Sequence, residues 1–110
     1  MHVSGDASWI DALPDAELPP GAQKTVALRG ARILLCRTEA GVVHAVSDLC
    51  PHALQPLEGG RLRGATLRCP RHGACFDLAT GQPTNPVTDR PLTVYPVRVQ
   101  GGLIQVGARS

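Results

Sequence analysis

The sequence predicts an all-β fold: an antiparallel β-sandwich with a small subdomain built from two loops plus a proline-rich cover loop. Three observations carry this expectation. Twelve Gly and ten Pro in 110 residues demand many turns and leave little room for long helices. The apolar residues fall in short runs of Val, Ile, Leu and Ala separated by turn residues. With one Phe, one Tyr and one Trp, the core must rest on aliphatic side chains.

Strands are predicted at Ser8–Asp11, Gln23–Leu28, Ala31–Arg37, Val42–Ser47, Thr66–Cys69, Ala74–Asp77, Thr93–Val99 and Leu103–Val106. Pro19-Pro20-Gly21 closes an acidic N-terminal stretch and leads into the second of these. Arg29-Gly30 is a tight turn, Glu39-Ala40-Gly41 suits a three-residue hairpin with Gly in the left-handed position, and Gly101-Gly102 suits another tight hairpin. Val97, Val99, Ile104 and Val106 alternate as one face of a two-stranded ribbon. Gly59-Gly60 and Gly64 set off a small separate hairpin region. Gly81 through Pro91 is a proline-rich loop that cannot form a regular ladder and is stiff enough to cover a site held by the other loops.

The chain is long enough for one domain, residues 1–110, and too short for a second core. No apolar run approaches the ~20 residues needed to span a bilayer. The start, Met1-His2-Val3-Ser4-Gly5-Asp6, has neither the basic nor the apolar part of a signal peptide, so a cytoplasmic location is expected. The shortage of aromatic rings argues against a stacking surface for single-stranded nucleic acid. Net charge is only +2, but it is unevenly placed. Residues 1–17 hold Asp6, Asp11, Asp15 and Glu17 with no Lys or Arg, whereas residues 61–71 hold Arg61, Arg63, Arg68 and Arg71 without an acid. The plain reading of that basic run is a solvated face; the sharper one is a docking patch for an acidic partner.

The chemistry concentrates in Cys50-Pro51-His52 and, after sixteen intervening residues, Cys69-Pro70-Arg71-His72. Two thiolates and two imidazoles, in motifs that join predicted strands, form the ligand set of a [2Fe–2S] centre in which two histidines replace two cysteines on one iron. Zinc is the rival metal, although zinc fingers usually run Cys, Cys, His, His. With two thiolates the oxidised centre is about neutral, against about −2 with four, so an added electron is better tolerated and the potential rises. Gly73 would permit close backbone approach to cluster sulfurs, and Pro51 and Pro70 fix the chain direction after each cysteine. In a reducing compartment Cys36 reads as a buried free thiol, and Cys75 as a packing residue; a Cys36–Cys75 bridge is the alternative. His44 reads as a surface or core histidine and His2 as a disordered one.

These motifs resemble the Rieske family. The likeness continues through Gly73-Ala74-Cys75-Phe76-Asp77, Thr80-Gly81 and the proline loop, on to Tyr95-Pro96-Val97, and upstream through Ala45-Val46-Ser47-Asp48. It covers nearly the whole chain, as in a free-standing Rieske ferredoxin. The resemblance implies the Rieske-type fold, a cluster-binding subdomain at about 48–78, and one [2Fe–2S] cluster per chain. It also implies Cys50 and Cys69 on one iron, with His52 and His72 on the other and facing solvent. Quinol-oxidising members of the family carry two more cysteines that staple the loops, where this chain has Gln55 and Arg71. They also offer hydroxyls where it has Ala74 and Phe76. Both departures imply a soluble carrier with a potential near the bottom of the Rieske range, about −150 mV. Such ferredoxins take electrons from a flavin-dependent reductase and pass them to a terminal ring-hydroxylating oxygenase. The implied protein is a monomeric electron carrier, not itself an enzyme. The competing expectation is a small subunit of an oxidoreductase such as assimilatory nitrite reductase; a redox sensor comes third.

Overall fold

Ile33, Leu34, Leu35 and Cys36 are buried at four consecutive positions, and this run organises the molecule. Successive side chains of a strand point to opposite faces, so an unbroken buried run requires packing on both sides. The computed structural model describes residues 9–51, 55–71 and 73–107. Within them the strands are β1 Trp9–Pro14, β2 Gln23–Leu28, β3 Ala31–Arg37, β4 Val43–Ser47 and β5 Arg61–Arg63. They continue as β6 Thr66–Arg68, β7 Cys75–Asp77, β8 Val94–Tyr95, β9 Val97–Gln100 and β10 Leu103–Gly107. The only helical turn among these residues is a 3₁₀ turn at Asp15–Glu17.

The strands form three antiparallel sheets, ordered β1-β10-β9, β2-β3-β4-β8 and β5-β6-β7. The β2-β3-β4-β8 sheet lies between two apolar clusters. On one side Ile33, Leu35 and Ala45 pack with Leu13, Leu18, Ile104 and Val106, joining it to the β1-β10-β9 sheet. On the other, Leu34, Cys36 and Val46 pack with Leu57, Leu67, Phe76 and Leu78 from the small β5-β6-β7 sheet and its loops. Register keeps the two sets apart, with Leu34 opposite Val46 and Leu35 opposite Ala45. The expected sandwich is present, with the small subdomain seated on its back.

β2 and β3 occupy the predicted spans, and Arg29 and Gly30 both adopt positive φ in the turn between them, at 49° and 80°. The Val97/Val99/Ile104/Val106 face forms as predicted, with Val106 opposite Val97 and Ile104 opposite Val99. The predicted Thr93–Val99 strand is split, because Pro96 has no N–H to donate; its carbonyl still accepts the Gly107 N–H at 2.8 Å. The first strand runs on to Pro14, while its predicted start, Ser8, lies outside the described residues. β5 falls in the region expected to hold a small hairpin. Cys69 and Ala74 sit just outside the strands predicted to contain them and belong to the loop between.

Candidate metal centre

Each predicted ligand cysteine opens a loop that its own backbone closes. The Cys50 N–H donates to the carbonyl of Gln55 at 2.8 Å, and the Cys69 N–H to that of Ala74 at 2.7 Å. The two loops thus share one closure, from a cysteine N–H to the carbonyl five residues on. Cys50 and Cys69 are both buried and both belong to the apolar cluster between the β2-β3-β4-β8 sheet and the small sheet. His52 and His72, with Ala53 and Leu54, lie outside the described residues.

The first loop is held by Asp48, a carboxylate with no exposed surface. Its Oδ1 accepts the Glu58 N–H at 3.0 Å, and its Oδ2 accepts from Arg32 Nη2 at 2.7 Å. Its backbone carbonyl accepts the Leu57 N–H at 2.9 Å. The loop therefore leaves β4 and returns to the same residue. Gln23 tethers the next turn to β2, its Nε2 donating to the Gly60 carbonyl and its Oε1 accepting the Gly59 N–H.

The second loop is held from the proline-rich segment. Asn85 Nδ2 donates to the Gly73 carbonyl at 2.8 Å while Asn85 Oδ1 accepts the Cys75 N–H at 3.2 Å. The Thr84 N–H adds a bond to the Cys75 carbonyl at 2.8 Å. The segment predicted as a cover thus runs beside β7 and braces the second cysteine loop. Gly73 has φ of 76°, and a Cβ there would lie 2.9 Å from an Arg68 guanidinium nitrogen. The left-handed backbone favours glycine at this point, while the exposed Arg68 side chain could swing aside.

Cys36 shares the apolar cluster with Cys50 and Cys69. Burial, with the Asp48 carboxylate adding to it, pushes the Cys36 thiol up to about 12. It stays protonated at neutral pH and does not compete as a thiolate. Cys36 and Cys75 are free thiols, so the alternative bridge is not formed. Cys75 is half-buried, its thiol directed at the Gly73 carbonyl at 3.5 Å. His44 is half-buried on β4 and lines a groove of about 550 Å³ with Tyr95 and Val97; burial lowers its pKa, against an opposing pull from Asp77. Asp48, Gln23 and Asn85 were not among the predicted site residues; each reads as an ordinary turn or strand polar residue until its distant partner is known.

The donor chemistry fits a cluster. Two buried sulfurs, set at the mouths of matched loops in an apolar wall, suit a metal that prefers thiolate. Fold and loops together define a small all-β protein whose two cysteine loops suit a sulfur-ligated metal centre. The chain belongs to the Rieske [2Fe–2S] domain family, whose model matches residues 8–96. It is 31% identical over 98 residues to the ferredoxin component of the naphthalene 1,2-dioxygenase system of Pseudomonas aeruginosa, covering 89% of this chain and 93% of that one. The structure of the ferredoxin of carbazole 1,9a-dioxygenase from Nocardioides aromaticivorans IC177 superposes with TM-score 0.85 at 29% identity, covering 93% and 99% of the two chains. A ferredoxin chain from a complex of reduced oxygenase and oxidised ferredoxin in carbazole 1,9a-dioxygenase matches with TM-score 0.82 at 29% identity, covering 90% and 92%. The NADH-dependent nitrite reductase small subunit of Mycobacterium tuberculosis matches with TM-score 0.82 at 28% identity, covering 93% and 96%. The family carries a Rieske-type [2Fe–2S] cluster, and the ferredoxin relatives are electron-transfer components rather than catalysts. Among the described residues no helix is long and apolar enough to cross a membrane.

Proposed function

We propose that this chain is a one-electron carrier of low potential that takes electrons from a flavin-dependent reductase and delivers them to a terminal ring-hydroxylating oxygenase. The observation that carries this reading is the pair of matched loops presenting Cys50 and Cys69 from one apolar wall. It is supported by a chain that spans nearly the full length of ferredoxin components of dioxygenase systems. In this reading Cys50, His52, Cys69 and His72 hold the cluster, which supplies a site for one electron when bound. The chain is a single Rieske domain, residues 1–110 with its cluster subdomain at about 48–78, working as a cytoplasmic monomer.

The chain's own residues fix the loops. Asp48 and Gln23 set the first, Asn85 and Gly73 the second, and the apolar wall keeps water from the cysteine side. Preset loops limit rearrangement when the charge at the site changes. The test is reconstitution with a flavin reductase and a ring-hydroxylating oxygenase, following product formation. Turnover that requires this protein supports the reading; turnover that is the same without it rejects the role.

The likeness to a nitrite reductase small subunit favours a second reading, a stably bound subunit of a larger oxidoreductase. Native purification separates the two. A carrier elutes alone as a red-brown monomer, whereas a subunit elutes with its large partner.

A further inference from the structure

We propose that the outward face of the β5-β6-β7 sheet is the docking surface for a carboxylate-rich patch on a protein that exchanges electrons with this chain. The proposal rests on the carrier reading and specifies the surface and the chemistry of the partner. Direct opposition in the ladder puts Arg61, Arg68 and Cys75 in one row, and Arg63, Thr66 and Asp77 in the next, on the same face. The other face, Leu62, Leu67 and Phe76, is turned into the apolar cluster. Arg61, Arg63 and Arg68 are all exposed.

Three features separate this face from an ordinary solvated one. Arg61 stands directly opposite Arg68, and like charges in that relation destabilise a sheet. The ion pairs among the described residues are Arg32–Asp48 and Arg37–Asp15, so no acid is paired with Arg61, Arg63 or Arg68. The face's one acid, Asp77, is at its far strand, with Oδ1 accepting the Ala79 N–H at 2.8 Å. Finally, the arginines lead to the cluster end. A hollow of about 460 Å³ lined by Arg61, Arg63, Thr66, Arg68 and Cys75 adjoins one of about 370 Å³ lined by Gly59, Arg61, Arg68, Cys69 and Pro70. The two share Arg61 and Arg68.

Arg71 is set apart from this group. It lines a separate hollow with Glu58, so the run that is free of acid in sequence is not so in space. The three remaining arginines are spread along two strands and exposed, without a buried polar group to close around a small anion. That spacing matches a broad acidic protein surface better than a compact ligand.

The probe is ferric cytochrome b5, an acidic haem protein, mixed in stopped flow with the reduced protein at low ionic strength; one electron passes to each haem. The R61E/R63E variant should slow transfer by about tenfold or more. The matched R29E/R90E variant, with the same change in net charge at exposed turn and loop positions, should slow it by less than about threefold. With cytochrome c, a basic acceptor, R61E/R63E should instead accelerate transfer. Elution from immobilised cytochrome b5 should need less salt for R61E/R63E alone, a readout independent of electron transfer. Equal slowing in both variants, or none in either, with cluster absorbance intact, would overturn the docking face alone. Wild-type protein without cluster absorbance would overturn the carrier reading and the docking face with it.

Discussion

The side-chain amide of Asn85 donates to the carbonyl of Gly73 at 2.8 Å, tying the proline-rich segment to the residue that follows His72. With its Oδ1 on the Cys75 N–H, Asn85 grips both sides of Ala74. Asn85→Ala leaves a part-buried carbonyl and N–H without these partners, at a cost of about 1–2 kcal/mol. In a domain of this size that is about 5–10 °C in Tm. The holoprotein should also lose visible absorbance faster on incubation with a chelator, whereas Thr88→Ala in the same segment should change neither.

Asp48 does the equivalent work for the first loop, but from inside the core. Asp48→Ala removes the acceptor of the Glu58 N–H and the partner of Arg32, and should cost about 2–3 kcal/mol in denaturant unfolding. Asp48→Asn keeps a carbonyl acceptor for Glu58 and should cost about half as much. Equal losses would mean that the charge on Asp48, rather than its hydrogen bond to the loop, is what matters.

The strands that depend on local pattern were legible in the sequence. Gln23–Leu28 and Ala31–Arg37 are rich in apolar residues and are separated by a turn whose glycine takes positive φ. Arg61-Leu62-Arg63 was not, because one leucine between two arginines gives no period to detect; it becomes a strand only by pairing with Thr66–Arg68. The pattern also could not reveal that β3 is packed on both faces, since a short buried run looks the same in several architectures. Cysteine spacing pointed to two loops, and Cys50 and Cys69 each open one. The loop-holding roles of Asp48 and Asn85 were not legible because their partners, Arg32 and Gly73, are distant in the chain.

Ala74 is buried in the second loop, where its carbonyl closes the loop onto Cys69. A hydroxyl at this position could donate toward the sulfur side and stabilise the reduced state. If Ala74→Ser gains a hydrogen bond that favours the reduced over the oxidised state by about 1 kcal/mol, the midpoint potential rises by about 40 mV. The wild-type value should lie near −150 mV. Redox titration of both proteins checks the two figures; a clearly positive wild-type potential would contradict the low-potential assignment.

Cys36 should leave a signature in alkaline stability. Its folded pKa of about 12 exceeds the ordinary thiol value of 9.0, so above pH 9 the unfolded chain releases a proton that the folded one keeps. Folding stability is then fully present below pH 9 and falls as pH rises toward 12, at about 1.4 kcal/mol per pH unit at most. Denaturant midpoints at pH 8, 9.5 and 10.5 should fall more steeply for the wild type than for Cys36→Ala. Parallel slopes would show that this thiol does not set the alkaline limit.

The central claim, that Cys50, His52, Cys69 and His72 share one two-iron cluster, is tested most directly by EPR of the dithionite-reduced protein. The account predicts a rhombic signal whose average g value lies below that of all-cysteine [2Fe–2S] clusters, with the signal abolished in Cys69→Ala. A colourless, EPR-silent protein containing zinc, or a signal of the all-cysteine type, would contradict it.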